Sequence, residues 1–413
     1  MSGVAHGRDV RTRLRLAGVR VEFVEQDDLT PEEFVELVRT VFRPVPGRDR
    51  RLAVLLDVPR DRARDSAAWR DRRVLAADWT RTLGGVKADL GLESADLLLY
   101  PDVGSNNADL PSSLRRVPET AVRAMTGGVD AIPIDAETVP TEAALAAAEI
   151  VLAPTEYSTT APLKILSKRL RFRAATLPGF TRAMVPALRL DTAAVSRRVN
   201  VLKERLDAAD SAKLELDAGG SPHSLVLDLR FRTAHASDGL VREPGTAANL
   251  PSGEAYVVPY EGERAGEKSR TSGTLPVQIS PRGDLVVLDV EENRVKGVRG
   301  DGPDAAAESA RFREEPAYGN VAELGLGVLG DFGIRAVGSV LLDEKLGLHV
   351  AFGRSDHFGG SVGPKDFRDQ SRVVHVDRVY VPETQPLVAV RRVSLRLANG
   401  REEDVIRDGR YCV

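Results

Sequence analysis

The stretch TPEEFVELVRTVFRPVPGRDRRLAVLLDV, residues 30–58, pairs a helix with a buried strand, and that pairing decides the first layer of the fold. Thr30 is placed as an N-cap, Pro31 in the first turn and Glu33 as the reciprocal partner of a capping box, so a helix is predicted to start there. The run at 52–58 is almost wholly apolar, as expected of a strand covered on both faces. Working outward, further short apolar strands are predicted at 19–24, 95–100 and 150–153. Helices are predicted at about 66–83, stopped by Gly84-Gly85, and at about 162–170. Strands alternating with helices of this length predict an α/β layer on a largely parallel sheet.

The pattern changes beyond a charged helical segment at 191–209. Leu225, Leu227, Leu229 and Phe231 alternate with Asp228, Arg230 and Arg232, the period-two signature of a half-buried strand. More strands are predicted at 254–259, 285–290, 371–381 and 387–397, with one helix at about 303–315 and a glycine-rich loop near 262–273. The expected organisation is an N-terminal α/β domain over 1–200 and a strand-rich α+β domain over 201–413. The chain's 413 residues suit two cores better than one.

Composition narrows the function. With 58 basic and 61 acidic side chains the net charge is −3, which gives no reason to expect nucleic acid; the arginines at 11, 13 and 15 read as solvated surface. Cys412 is the single cysteine, so neither an intrachain disulfide nor a Cys-based zinc site is available. No apolar run is long enough for a bilayer, and the N-terminal residues lack the apolar core of a secretory signal, so no membrane partner and a cytoplasmic location are expected.

The chemistry is concentrated late in the chain. Three of the six histidines, His349, His357 and His375, fall between residues 349 and 375. In VVHVD, residues two apart on a strand share a face, so His375 and Asp377 project together. Such a pair binds a metal, orients one member by the other, or forms the polar face of an amphipathic strand. In DEKLGLHVAFG, the five-residue separation puts Glu344 and His349 on opposite faces of an unbroken strand; Gly347 would permit a bulge, or Glu344 belongs to the preceding loop. Glu254 and Glu323 each stand in apolar, glycine-rich surroundings, where a buried carboxylate needs a cation or a donor and an exposed one needs neither. The polar turn from Tyr100 to Asn107 follows a predicted strand and is either structural or cleft-facing, as is His235.

Together, the segments NLPSGEAYVVP, GNVAELGLG, DEKLGLHVAFG and VVHVD resemble, in order and spacing, the metal-binding motifs of the M29 peptidases, the aminopeptidase T and aminopeptidase S family. The resemblance implies two divalent ions (zinc, cobalt or manganese) held by Glu254, Glu323, His349, His375 and Asp377, with Glu323 bridging. It implies Glu344 as general base toward a metal-activated water, a small peptide or small-molecule substrate, and a homodimer whose N-terminal domains help enclose the cleft. One position departs. Where the family carries a tyrosine, seven residues after the histidine, this sequence has Asp356 followed by His357, leaving those two as candidates for its catalytic place or for ordering a glycine-rich loop. The leading expectation is a metallo-aminopeptidase. The alternative is a mononuclear non-heme iron dioxygenase with Fe(II) on His349, His375 and Asp377, since 2,5-dihydroxypyridine dioxygenases resemble distant relatives of the same peptidases. A non-catalytic descendant would have lost the ligands.

Overall fold

The computed structural model describes residues 27–122 and 136–413; the predicted strand at 19–24 and the arginines at 11, 13 and 15 lie outside them. The opening helix is Pro31–Phe42. Thr30 Oγ1 accepts from the Glu33 N–H at 3.2 Å, and Glu33 Oε2 accepts from the Thr30 N–H at 2.9 Å. Its buried face, Phe34, Leu37, Val38, Val41 and Phe42, packs toward the strand Arg51–Val58, which is buried at every position after Arg51.

That strand is central to a seven-stranded sheet ordered Ala247–Asn249, Arg173–Thr176, Ile150–Ala153, Arg51–Val58, Ser94–Pro101, Ser113–Val117 and Glu137–Pro140. The first five run parallel, Ser113–Val117 runs against them and Glu137–Pro140 runs back in their direction, the largely parallel layer that the sequence predicts. The helix Ala67–Val86 covers it, with Trp79 meeting Phe34 and Phe180 edge to face at 5.4 Å each. This helix does not stop at Gly84-Gly85 as predicted. It continues to Val86 and then a tighter turn, Lys87–Leu90; Gly84 serves there as space for Glu119, since a Cβ would come within 3.0 Å of that side chain.

Two antiparallel sheets follow the capped helix Thr192–Asp207, so the chain is a mixed α/β fold with a strand-rich C-terminal region. One has eight strands, including Ala209–Ala218, Ser221–Asp228 and Val388–Leu397. The Leu225–Phe231 alternation ends early there. Asp228, buried, accepts from the Arg270 N–H and pairs with Arg230, so the chain turns away and leaves Phe231 exposed with a left-handed φ of 65°. Likewise, the first two residues of the predicted 371–381 strand belong to the turn Gln370–Arg372, and the strand itself is His375–Val379.

The second antiparallel sheet has five strands, ordered His375–Val379, Leu348–Gly353, Val321–Gly327, Glu254–Val257 and His235–Ser237. Between its first two members in chain order, the chain returns to the parallel sheet to add Ala247–Asn249 at its edge. Asn249 Oδ1 there accepts from Thr160 Oγ1 at 2.8 Å and Thr176 Oγ1 at 2.7 Å, only five residues before Glu254. No helix among the described residues is long and apolar enough to cross a membrane.

Candidate metal centre

Alternation on the five-stranded sheet builds the site. In AELGLG, Ala322, Leu324 and Leu326 face one way, while Glu323, Gly325 and Gly327 face the other. Register sets Gly325 opposite both Tyr256 and His349, and sets Ala351 opposite both Glu323 and Asp377. Glycine and alanine thus pave the floor on which the longer side chains of neighbouring strands converge. The space is needed: a Cβ on Gly325 would lie 1.9 Å from His349 Nε2.

Glu323 occupies the centre. His349 Nε2 lies 3.2 Å from its Oε1, and His375 Nε2 lies 3.3 Å from its Oε2. Glu254 Oε2 is 3.6 Å from His349 Nε2, and Asp377 Oδ1 is 3.6 Å from His375 Nε2. Each imidazole turns its other nitrogen to a backbone carbonyl: His375 Nδ1 to Arg354 at 2.8 Å, His349 Nδ1 to Gly347 at 3.4 Å. Those carbonyls accept Nδ1–H donors and aim both Nε2 atoms at the carboxylates, as histidine ligands are commonly oriented.

The five predicted ligands are therefore brought together, and Glu344 stands beside them. It belongs not to the strand but to a short helical turn, Glu344–Leu346, followed by an extended Gly347, so no bulge is needed. That turn rests on the glycine-paved strand, since a Cβ on Gly327 would lie 2.3 Å from the backbone carbon of Lys345. Between the turn and the sheet Lys345 is buried, and its ammonium bonds both Glu254 Oε1 and Glu344 Oε1.

Charge and burial set the protonation of the cluster. Burial would raise the Glu323 carboxyl, but its bonds with His349 and His375 prevail and hold it well below the usual range. Burial likewise works against the charged form of Asp377, and the neighbouring His375 outweighs it. For Glu344 burial prevails: despite Lys345, its carboxyl is pushed up to about 8, with Glu254 and Asp377 adding repulsion. Burial disfavours the imidazolium of His349, yet Glu323 and Glu254 raise it to about 9. His357 goes the other way, lowered to about 4 by burial and by the nearby charges of His375 and Arg354.

The two residues at the departing position lie side by side, His357 Nδ1 3.6 Å from Asp356 Oδ1, but only one of them lines the cleft. His357 lines the cleft, its ring centre 5.4 Å from that of His375. Asp356 turns outward to Arg354 Nε at 2.5 Å and is absent from the cleft lining. His235 does not face the cluster: its Nε2 bonds the Phe358 carbonyl at 3.0 Å while its ring stacks on Tyr256. Lys345, Tyr256 and Phe358 escaped the sequence reading. Tyr256 carried a usable signal, because it lies two residues after Glu254 on the same strand face.

A cleft of about 640 Å³ opens over the cluster. Loops at the C-terminal ends of parallel strands also line it with Asn106, Asn107 and Ser158, and the helix Thr160–Leu170 adds Lys164. Asp57, buried at the end of Arg51–Val58, accepts the Glu156 and Tyr157 N–H groups at 2.7 and 3.1 Å and pins one of those loops; burial raises its carboxyl to about 7. A larger groove of about 920 Å³ lies elsewhere and contains none of the cluster's carboxylates or imidazoles.

Three features fit this cluster to a divalent cation. Ligand atoms of Glu254, Glu323 and His349 lie within 4.8 Å of one another, all buried. Glu254 Oε2 is buried without a hydrogen-bond partner, an orphan whose cost a cation would relieve. The donor set of imidazole and carboxylate suits zinc, cobalt, manganese or iron.

No protein-family model and no curated protein matches the chain. Solved structures do share its architecture. AmpT from Thermus thermophilus is similar with a TM-score of 0.53 at 14% identity, over 93% of this chain and 99% of that one. The 2,5-dihydroxypyridine dioxygenase from Pseudomonas putida KT2440 is similar with a TM-score of 0.55 at 15% identity, over 93% of this chain and 96% of that one. At this identity the likeness is one of fold.

Proposed function

We propose that the chain is a metal-dependent hydrolase, an aminopeptidase that removes N-terminal residues from small peptides. The observation that carries this reading is Glu344, a half-buried carboxylate beside the ligand cluster and separate from it, held there by Lys345. Glu254, Glu323, His349, His375 and Asp377 would hold one or two divalent ions, with Glu323 central between the imidazoles. When bound, such an ion lowers the pKa of a water and polarises a carbonyl. Glu344 would accept the proton of the attacking water and return it to the leaving amine, the role of a general base and then acid beside the reacting atoms. Lys345 holds Glu344 by its Oε1, leaving Oε2 free for that proton. The cleft, lined also by Asn106, Asn107 and Ser158, is read as the place of a small substrate.

A second reading rests on the similarity to the dioxygenase and on the set His349, His375 and Asp377, two imidazoles and a carboxylate suited to Fe(II). Retention of Glu254 and Glu323 beside a separate base favours hydrolysis. The deciding experiment counts and identifies the metal per chain, then assays zinc-, cobalt- and manganese-loaded protein on aminoacyl anilides and dipeptides. Cleavage is expected. Full occupancy without cleavage, together with oxygen uptake by the anaerobically iron-loaded protein on an aromatic substrate, would reverse the ranking.

A further inference from the structure

We propose that Tyr256 is the substrate-facing phenol of this site, a hydrogen-bond donor to the ligand oxygen on which negative charge develops, held in place by His235 and Phe358. The inference rests on the metal-site reading above and goes beyond its ligands and base.

The placement begins with strand alternation. Glu254 and Tyr256 are two apart on Glu254–Val257, so both side chains rise from the face that carries the cluster. Across the sheet, the residue opposite Tyr256 on one side is Gly325, which has no side chain to intervene, and beyond it lies His349. The opposite residue on the other side is His235. Tyr256 therefore stands at the rim of the glycine-paved floor, and it lines the cleft together with Glu254, Glu323 and Glu344.

Its ring is fixed from two directions. His235 stacks on it with ring centres 5.2 Å apart and planes at 27°, and Phe358 meets it edge to face at 5.0 Å. Each clamp is itself anchored. His235 Nε2 bonds the Phe358 carbonyl at 3.0 Å, and the Phe358 ring rests against that of His375 at 5.5 Å. So the segment that carries Phe358 connects a metal-facing imidazole to the tyrosine.

The hydroxyl makes no hydrogen bond among the described residues, although the other tyrosines buried in this half of the chain do: Tyr260, Tyr318 and Tyr380 all donate to backbone carbonyls. The ring is half-buried, and the open direction for its hydroxyl is the cleft that it lines. A donor fixed before the substrate arrives stabilises developing negative charge without reorganising at the moment of reaction.

The test uses cobalt-loaded protein and acetohydroxamate, whose oxygens stand in for those of a bound substrate. Tyr256→Phe keeps the ring and is expected to retain the wild-type metal content, measured by elemental analysis, while acetohydroxamate binding by calorimetry weakens roughly tenfold or more, as expected for one lost bond to a charged oxygen. His235→Ala should weaken it less, and should have no further effect in the Tyr256→Phe background if it acts through the hydroxyl. The proposal is overturned if Tyr256→Phe binds within twofold of wild type, if the loaded wild type does not bind the probe, or if Tyr256→Phe loses its metal. An additive effect of His235→Ala would overturn the clamp. The probe requires metal but no turnover, so a failure of the hydrolase reading is seen separately, as intact binding without peptide cleavage.

Discussion

Gly325 shows how much of the site depends on what is missing from a side chain. In the sequence it reads as one more glycine in GNVAELGLG, and only the register reveals that the His349 imidazole lies over it. Gly325→Ala puts a methyl 1.9 Å from Nε2, inside any contact distance, and the ring rather than the backbone strand has to yield. We expect metal affinity to fall by about 10- to 100-fold or more, the size of losses when histidine ligands are mis-oriented, with an overpacking cost of about 1–3 kcal/mol. Competition with a chelating dye measures the first; wild-type affinity in this variant would refute the account. At this scale the His375–Asp377 pair was legible, because period two is a local property. Lys345 was not: in the sequence it is a charge among charges, and it becomes an internal counter-ion only because Gly327 lets its turn settle onto the strand.

Elements were readable where local signals agreed, and misread where a distant contact overrode them. The Thr30–Glu33 box and the apolar run after Arg51 each point to one structure. Gly84-Gly85 looked like a helix stop, yet the two glycines do different things. Gly84 makes room for Glu119, whose carboxylate accepts the Ala95 N–H at 2.7 Å and pairs with Lys87. Gly85 is exposed and a Cβ there would meet nothing within 4 Å. Gly85→Ala is therefore expected to stabilise the protein by about 0.5–1 kcal/mol through helix propensity and a less disordered unfolded chain, read as a higher midpoint in chemical denaturation. A destabilised Gly85→Ala would mean that the helix is not held as described. Other strands escaped prediction for a plain reason. Ala247–Asn249 and Arg173–Thr176 are too short for periodicity, and Val321–Gly327, buried throughout, shows no polar alternation.

For the molecule as a whole, the decisive quantity is the charge buried beneath the cleft. Glu254, Glu323, Glu344 and Asp377 face Lys345 and two imidazoles, and in the absence of a metal the protein answers the excess by retaining protons, with His349 held protonated up to about 9. The sign follows from linkage. A histidine whose folded pKa is raised above its unfolded value of about 6.5 contributes stability that is complete below 6.5 and lost as pH rises through about 9. Metal-free protein should thus lose stability over that window. A divalent cation needs the same imidazole neutral and must displace its proton, so metal affinity should rise with pH across the window and level off above it. Binding at a hundredfold excess over Kd adds about 2.7 kcal/mol to unfolding. The metal-dependent increase in Tm at a fixed sub-saturating cation concentration should therefore be small at pH 6 and large at pH 9. Thermal scans with chelator and with zinc or cobalt at pH 6, 7.5 and 9 make the comparison. An increment independent of pH would place the cation away from His349, and no increment at any pH would remove the metal centre on which the functional reading depends.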